Sequence, residues 1–277
     1  VSADLTIVLP TYNRRHVLER SIGSYLALAS RWPLLVVDDG SRDGTADWLA
    51  NLGVAVLRLP HGGLPAARNA GLRAATTPWV LFGEDDVLML PEMPERLLRW
   101  SCRLPRCGAV CGRSCIREDW RIEPTGGPAD PLDGRRMLID LSGPLDWPRL
   151  LPTLHARSLI DRKAALAIGG FDASLVGSAF REESDFFARL WHSGQACWQV
   201  PDVWEVHVRH RLGGGCRGAV DLISKLRNRW TYWRNNARFI DRHRRMWARW
   251  AAIPTPGGMK LRYAGELCAA AVQALRG

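Results

Sequence analysis

Three carboxylates in a row, Glu84-Asp85-Asp86, follow directly on the apolar run Trp79-Val80-Leu81-Phe82. Acids at the end of a buried strand are costly unless positive charge compensates them, and a divalent cation would do so. Hard oxygen ligands favour Mg²⁺ or Mn²⁺, which bind substrate phosphates together with one or two protein carboxylates. A second acidic pair, Asp38-Asp39, ends the run Leu34-Leu35-Val36-Val37 and continues as Gly40-Ser41-Arg42-Asp43-Gly44-Thr45. An aspartate there can accept hydrogen bonds from the N–H edge of a nucleobase. The segment Gly62-Gly63-Leu64-Pro65-Ala66-Ala67-Arg68 adds a glycine turn and an arginine able to hold a phosphate bidentately. A third acidic group, Glu182-Glu183-Ser184-Asp185, opens a periodic apolar stretch. Taken singly, each has a plainer alternative. These are a solvated acidic turn for residues 84–86, a turn with a helix cap for 38–45, and an ordinary helix N-terminus for 182–185, with Asp185 paired to Arg189 at i, i+4.

Such residues need elements to position them. Leu5 to Leu9 reads as a buried strand ending at Pro10, and apolar spacing predicts a helix from about Arg15 to Ala29. Strands follow at 34–37, 55–59 and 79–82, separated by a helix starting near Asp43 or Thr45 and another from about Pro65 to Ala75. This β-α-β-α-β-α-β order predicts a mostly parallel sheet covered on both faces. Ligands of such sheets lie beyond the carboxyl ends of the strands. The residues there are Pro10, Thr11, Tyr12, Asn13 and Arg14, then Asp38 to Ser41, then Gly83 to Asp86. Residues 91–151, rich in Gly, Pro and Arg, read as loops carrying binding specificity, with no assignable topology. Beyond them come a helix or strand over 159–168, a Gly169-Gly170-Phe171-Asp172 turn, a helix from about Glu182 to His192 and a strand at 203–206. One or two amphipathic helices over 217–250 place Leu222, Leu226, Trp230, Trp233, Ala237 and Ile240 on one apolar face.

In this order, PTYNR, VDDGSRDGT, ARNAGL and EDD resemble the nucleotide-binding half of the family 2 glycosyltransferases, closely over residues 5–90 and more loosely to about 215. The resemblance implies a GT-A fold, an α/β architecture whose Rossmann-like, mostly parallel sheet is flanked by helices, here with C-terminal amphipathic helices added. It divides the chain into a nucleotide-sugar half (1–90), an acceptor-binding and catalytic half of the same domain (91–216), and a basic, Trp-rich helical tail (217–277). It implies that Pro10, Tyr12 and Asp39 line a nucleoside pocket, with Thr11, Asn13, Arg14, Asp38 and Asp85 on the same side. Arg68 then holds the nucleotide, and Asp86 binds Mn²⁺ or Mg²⁺ at the diphosphate. Glu84 stands where the family usually has Asp, which leaves open whether Glu84 or Asp85 assists Asp86. Phe180-Arg181-Glu182-Glu183-Ser184-Asp185-Phe186-Phe187 looks like the family's acceptor-side motif, in which the second acid, Glu183, is the base and Glu182 the runner-up. His207 completes the metal or diphosphate site, with His210 as competitor. The implied reaction is inverting transfer from a nucleoside-diphosphate sugar, UDP favoured over dTDP or GDP, to a hydroxyl of a glycan, lipid-linked or natural-product acceptor.

Bulk properties narrow the alternatives. A chain of 277 residues with 47% hydrophobic content can bury a core and is not disordered as a whole. Residues 1–216 hold 25 Lys plus Arg against 25 acids, and residues 217–277 hold 13 against 3, so the net charge of +10 sits in the tail. Basic residues among Trp230, Trp233, Trp247 and Trp250 predict peripheral membrane contact through 217–250, or else a packed helix with a solvated basic face. No nucleic-acid partner is expected, because no stacking or finger signature is present. Seven scattered cysteines argue for reduced thiols, and the run Cys102 to Cys115 lacks the Cys-x-x-Cys pairs of a zinc site. With no signal-like segment and no long apolar run, the expected location is cytoplasmic, including the inner face of the membrane. The competing functions are a sugar nucleotidyltransferase and a catalytically silent nucleotide-sugar-binding protein. The first lacks a lysine-containing phosphate loop at the first strand end.

Overall fold

A computed structural model describes residues 4–128, 130–133, 138–177, 179–208 and 222–247, together with Gly265 and Cys268. In chain order the first half runs β1 (Leu5–Thr11), α1 (Arg15–Ala29), β2 (Leu34–Asp38), α2 (Thr45–Asn51), β3 (Ala55–Arg58), α3 (Leu64–Ala74), β4 (Trp79–Phe82) and β5 (Val87–Leu88). The second half runs α4 (Met93–Arg103), β6 (Cys107–Arg117), β7 (Leu132–Asp133), β8 (Leu138–Ile139), β9 (Arg149–Leu150), β10 (Leu159–Asp161), α5 (Arg162–Ala167), α6 (Glu182–His192), β11 (Ala196–Val208) and α7 (Leu222–Trp247).

Nine strands form one sheet in the order β3-β2-β1-β4-β10-β6-β11-β5, with β9 on the flank of β11. β3, β2, β1 and β4 are mutually parallel. β10 lies antiparallel between β4 and β6, so β6 again runs with β4, and β11 runs parallel to β6. The carboxyl ends of β1, β2, β4, β6 and β11 therefore share one edge of the sheet. Two apolar clusters cover the two faces. One is built on Leu5, Ile7, Leu9 and Tyr25, the other on Val8, Val37, Phe82, Phe171 and Phe186.

Three expectations need correction. β1 does not stop at Pro10 but continues to Thr11, because Pro10 sits opposite Val37 near the end of the ladder, where its missing N–H costs little. The segment 91–151 is not all loop, since it supplies α4 and the eleven-residue β6. The sequence CGAVCGRSC hides that strand because it is small rather than alternating. Gly112 lies so close to the Val203 backbone that a Cβ would collide with its carbonyl. The apolar face assigned to α7 holds only in part: Trp230 is exposed and stacks on Trp233, whereas Ile240 packs as expected against Ala188 and Trp191 of α6, with Phe239 and Met246 beside it and Trp233 at the margin of that cluster. Side chains of residues 222–226, His210 and nearly all of the chain beyond Trp247 lie outside the described residues.

Candidate active site

The site is built on backbone pinned from behind. Gly83, between β4 and the acidic run, faces the Tyr25 ring at a spacing where a Cβ would sit 2.5 Å from it. That approach lets the Tyr25 hydroxyl donate to the Glu84 carbonyl at 2.9 Å and accept from the Glu84 N–H at 3.1 Å. Ser21 Oγ donates to the Asp85 carbonyl at 2.7 Å. Helix α1 thus fixes the turn that carries all three acids, and their side chains diverge.

Glu84 points toward the second half of the chain. Its Oε1 accepts from Arg68 Nη2 at 2.7 Å and its Oε2 from Arg157 Nη1 at 2.6 Å. Burial would raise its pKa, but Arg157 and Arg68 outweigh burial and hold it down at about 2. Asp85 turns the other way, onto Arg14 Nη1 at 2.9 Å, and accepts from Thr11 Oγ1 at 3.2 Å. Burial lifts it to about 7 despite Arg14. Asp86 takes Arg14 Nη2 on Oδ2 at 2.9 Å and faces His207 Nε2 across 3.6 Å with Oδ1. His207 reaches this point because β11 pairs antiparallel with β5, setting His207 opposite Val87. Burial, reinforced by Arg157, lowers its pKa, so the ring favours the neutral form that ligates metals.

Glu84, Asp86 and His207 each offer a donor atom within 4.8 Å of the others. A set of two carboxylates and one imidazole suits Mn²⁺ or Mg²⁺. Asp86 and His207 are the freer donors, because both oxygens of Glu84 are already engaged by arginines. Asp85, committed to Arg14 and Thr11, stands outside the set.

Arg68 lies deep in the site. Expected to hold the nucleotide, it is fully buried, and its guanidinium ion-pairs with Glu84, Glu182 and, at 3.4 Å, Glu183 Oε1. Phe171 lies over it at 5.5 Å. In this structure its guanidinium gathers three acids. Asn69 on the same helix exchanges hydrogen bonds with the Phe171 backbone, tying α3 to the Gly169-Gly170 turn. Glu182 is almost completely buried, whereas Glu183 is about 30% exposed and receives the Ala156 backbone N–H. Burial raises the Glu183 pKa, against the pull of Arg68.

On the side expected to hold the nucleotide, Tyr12 stands exposed at the end of β1 and stacks on His61 at 4.0 Å. Asp39 is buried, accepting from the Gly62 and Gly63 N–H groups and from His61 Nδ1, each at 2.8 Å. Asp38 is buried and accepts the Ser41 N–H at 3.0 Å, as in a turn. Pro10 is buried within the ladder. Asn13, at φ 50°, bonds Ser41 and the Arg42 N–H. Asp185 pairs with Arg189 at 2.8 Å as expected of i, i+4 neighbours, and also with Arg242 and His243 of α7.

Sequence reasoning overlooked Arg157, Glu205, His155, Tyr25 and His61. Arg157 bridges Glu84 to Glu205 and Ser114. Burial raises Glu205 to about 7, with Arg157 opposing. A lone acid inside the apolar strand Val203-Trp204-Glu205-Val206 was the available signal, since such an acid demands a buried cation.

The sequence model described as Glycosyl transferase family 2 matches residues 6–185, well over half of the chain. The chain belongs to glycosyl transferase family 2. A pre-mycofactocin glycosyltransferase of Mycobacterium tuberculosis is 38% identical over 200 residues, covering 69% of this chain and 40% of that protein. A validoxylamine A glucosyltransferase of Streptomyces hygroscopicus subsp. jinggangensis is 31% identical over 103 residues, 34% of this chain and 24% of that protein. The chain thus spans less than half the length of these relatives. Among solved structures, a mannosyltransferase from Pyrobaculum calidifontis in complex with GDP-Man and Mn²⁺ superposes with a TM-score of 0.61 at 20% identity, over 99% of this chain and 72% of that one. S. aureus TarS 1–349 with UDP-GlcNAc gives 0.60 at 14% identity, over 87% and 72%. The fold of this family 2 glycosyltransferase is GT-A, with a central, mostly parallel sheet flanked by helices. No described helix is long and apolar enough to cross a membrane.

Proposed function

We propose that this family 2 glycosyltransferase transfers a sugar with inversion from a nucleoside-diphosphate sugar to an acceptor hydroxyl, with Glu183 as base. The observation that carries this reading is the shared guanidinium of Arg68, which touches Glu84 on the metal side and Glu183 on the acceptor side. One buried cation sets the spacing between the two halves of the reaction. Asp86, His207 and Glu84 would hold Mn²⁺ or Mg²⁺, which neutralises charge on the departing diphosphate. The acceptor oxygen attacks the anomeric carbon, the bond from that carbon to the diphosphate oxygen breaks with its electron pair leaving on the nucleotide, and the acceptor proton passes to Glu183. Burial that raises the Glu183 pKa makes it a better proton acceptor than an exposed carboxylate. Tyr12 and His61 offer an exposed aromatic surface for the nucleobase, and Arg14 lies where it can follow the phosphates.

The donors named for the solved relatives, GDP-Man and UDP-GlcNAc, set the panel to test, with UDP sugars first. Thermal shift and slow nucleotide release should be measured with Mn²⁺ or Mg²⁺ for wild type, Asp86→Asn and Glu183→Gln. Support is metal-dependent stabilisation by one donor class, weakened in Asp86→Asn, with binding kept but turnover lost in Glu183→Gln. Binding of a free nucleoside triphosphate and of no nucleotide sugar moves the reading to a nucleotidyltransferase. Binding without any turnover in the wild type moves it to a silent binding protein.

Peripheral contact with the inner face of a membrane is part of the same reading. It is supported by Arg227, Trp230, Arg238 and Arg245, which are exposed along α7. Co-sedimentation with anionic but not zwitterionic vesicles, lost in high salt, tests it.

A further inference from the structure

The inner face of α7 is polar where it meets the segment leading into α6. Thr231 packs on Gly177, Asn235 Nδ2 donates to the Val176 carbonyl at 3.1 Å, and Asn236, 1% exposed, accepts from Arg181 Nε at 2.8 Å. Arg181 is the residue immediately before Glu182 and Glu183. It is buried, adopts φ 75°, and spreads its guanidinium between the Phe239 and Phe180 rings at 4.6 and 4.9 Å. A left-handed residue at a helix entrance normally calls for glycine. Here the side chain is retained and fully engaged, and its carbonyl accepts the Asp185 N–H at 2.8 Å to begin the helix. Two residues beyond Glu183, Asp185 is gripped by the same helix, through Arg242 at 2.7 Å and His243 at 2.9 Å.

We infer that Asn236 and Arg181 are positioning residues through which α7 sets the direction of the first turn of α6 and hence of Glu183. The inference rests on Glu183 being the base. The Glu182-Glu183 pair is bracketed on both sides by residues that α7 holds. Arg68 alone fixes only the distance of the carboxylates from Glu84, while the heading of the helix that carries them comes from α7.

The test measures nucleotide release, donor affinity and thermal unfolding in Asn236→Leu, which keeps volume but removes the acceptor, and in Asn236→Asp, which keeps it. Asn236→Leu should lower turnover about tenfold while donor affinity stays within about twofold, and Asn236→Asp should restore turnover. In a Glu183→Gln background Asn236→Leu should cost nothing further, since both act through one carboxylate. A purely structural role predicts the opposite, namely equal losses in both backgrounds that track the unfolding temperature, and that result overturns the inference, as does unchanged turnover. Should Asn236→Leu not fold, Arg181→Gly, which suits the left-handed backbone, carries the same comparison. If Glu183→Gln leaves turnover intact, the assignment of the base fails first and this inference fails with it; if Glu183→Gln abolishes turnover and Asn236→Leu does not lower it, only this inference fails.

Discussion

Two groups of arginines and acids lie within one site, and it is their arginines that differ in access to water. Behind the rim, Arg68 and Arg157 are at most 6% exposed and join Glu84, Glu182, Glu183 and Glu205. On the rim, Arg14 joins Asp85 and Asp86 with 15% of its side chain open, beside a His207 that is 31% open. Buried ion pairs are weak evidence of stability, yet removing one partner is severe because a bare charge remains. Pairs on an open edge can be exchanged for ligand contacts at little cost. Arg68 and Arg157 are therefore scaffold that gathers the acids, and Arg14 is the arginine freer to change partners.

Arg68→Met tests that contrast most strongly. It takes the shared guanidinium from Glu182 and Glu183, leaves Glu84 with Arg157 alone, and should lower unfolding free energy by about 3–5 kcal/mol in urea. Arg14→Met, whose guanidinium keeps some access to water, should cost less than Arg68→Met while weakening nucleotide-sugar binding. Equal losses of stability in the two variants would erase the distinction between scaffold and rim.

The rim should respond next to metal. Saturating Mn²⁺ at about a hundred times its dissociation constant should stabilise the wild type by about 2.7 kcal/mol, and Asp86→Asn should remove most of that gain without changing stability in a chelator. A gain retained in Asp86→Asn but lost in Glu84→Gln would transfer the cation toward the dry cluster and overturn our ranking of the donors.

How much of this could be read in the sequence follows the same divide. The rim was legible, because strands such as Trp79–Phe82 end in charged residues at positions fixed by local periodicity. α1 and α6 were legible because their apolar spacing is set within each helix. The burial of Arg68 was not, since nothing local distinguishes a phosphate-gripping arginine from one covered by Glu182, 114 residues later. β6 escaped because its small residues answer to Val203 and Gln195, which lie in distant sequence. The docking face of α7 escaped because it is partly polar, with Asn235, Asn236 and His243 facing inward.

That docking can be sharpened by pH. Burial would raise Asp185, but hydrogen bonds from His243 and Arg189 win and hold it at about 2, below its ordinary 3.8. A depressed carboxylate stabilises the fold above the unfolded pKa and loses that contribution as pH falls through the folded one. About 2 kcal/mol should thus disappear between roughly pH 4 and 2. Urea titrations of wild type and Asp185→Asn across that window should converge at the acidic end. Parallel curves would mean that the Asp185 carboxylate contributes nothing to holding α7.

The smallest expected effect lies at the far end of the rim. His61 is over half exposed, stacks on Tyr12 and takes only one of the three bonds to the Asp39 carboxylate. His61→Ala leaves the Gly62 and Gly63 N–H groups to satisfy Asp39, so stability should fall by about 1 kcal/mol or less. Removing one ring of an exposed stack should weaken nucleotide binding by a few fold while leaving inorganic diphosphate binding unchanged, because His61 contacts Tyr12 and Asp39 and not Asp86. A loss of a hundredfold or more would make His61 a principal contact of the nucleobase. An equal loss for diphosphate would mean that the 61–63 loop shapes the whole rim, and the open region would then be as preorganised as the dry one.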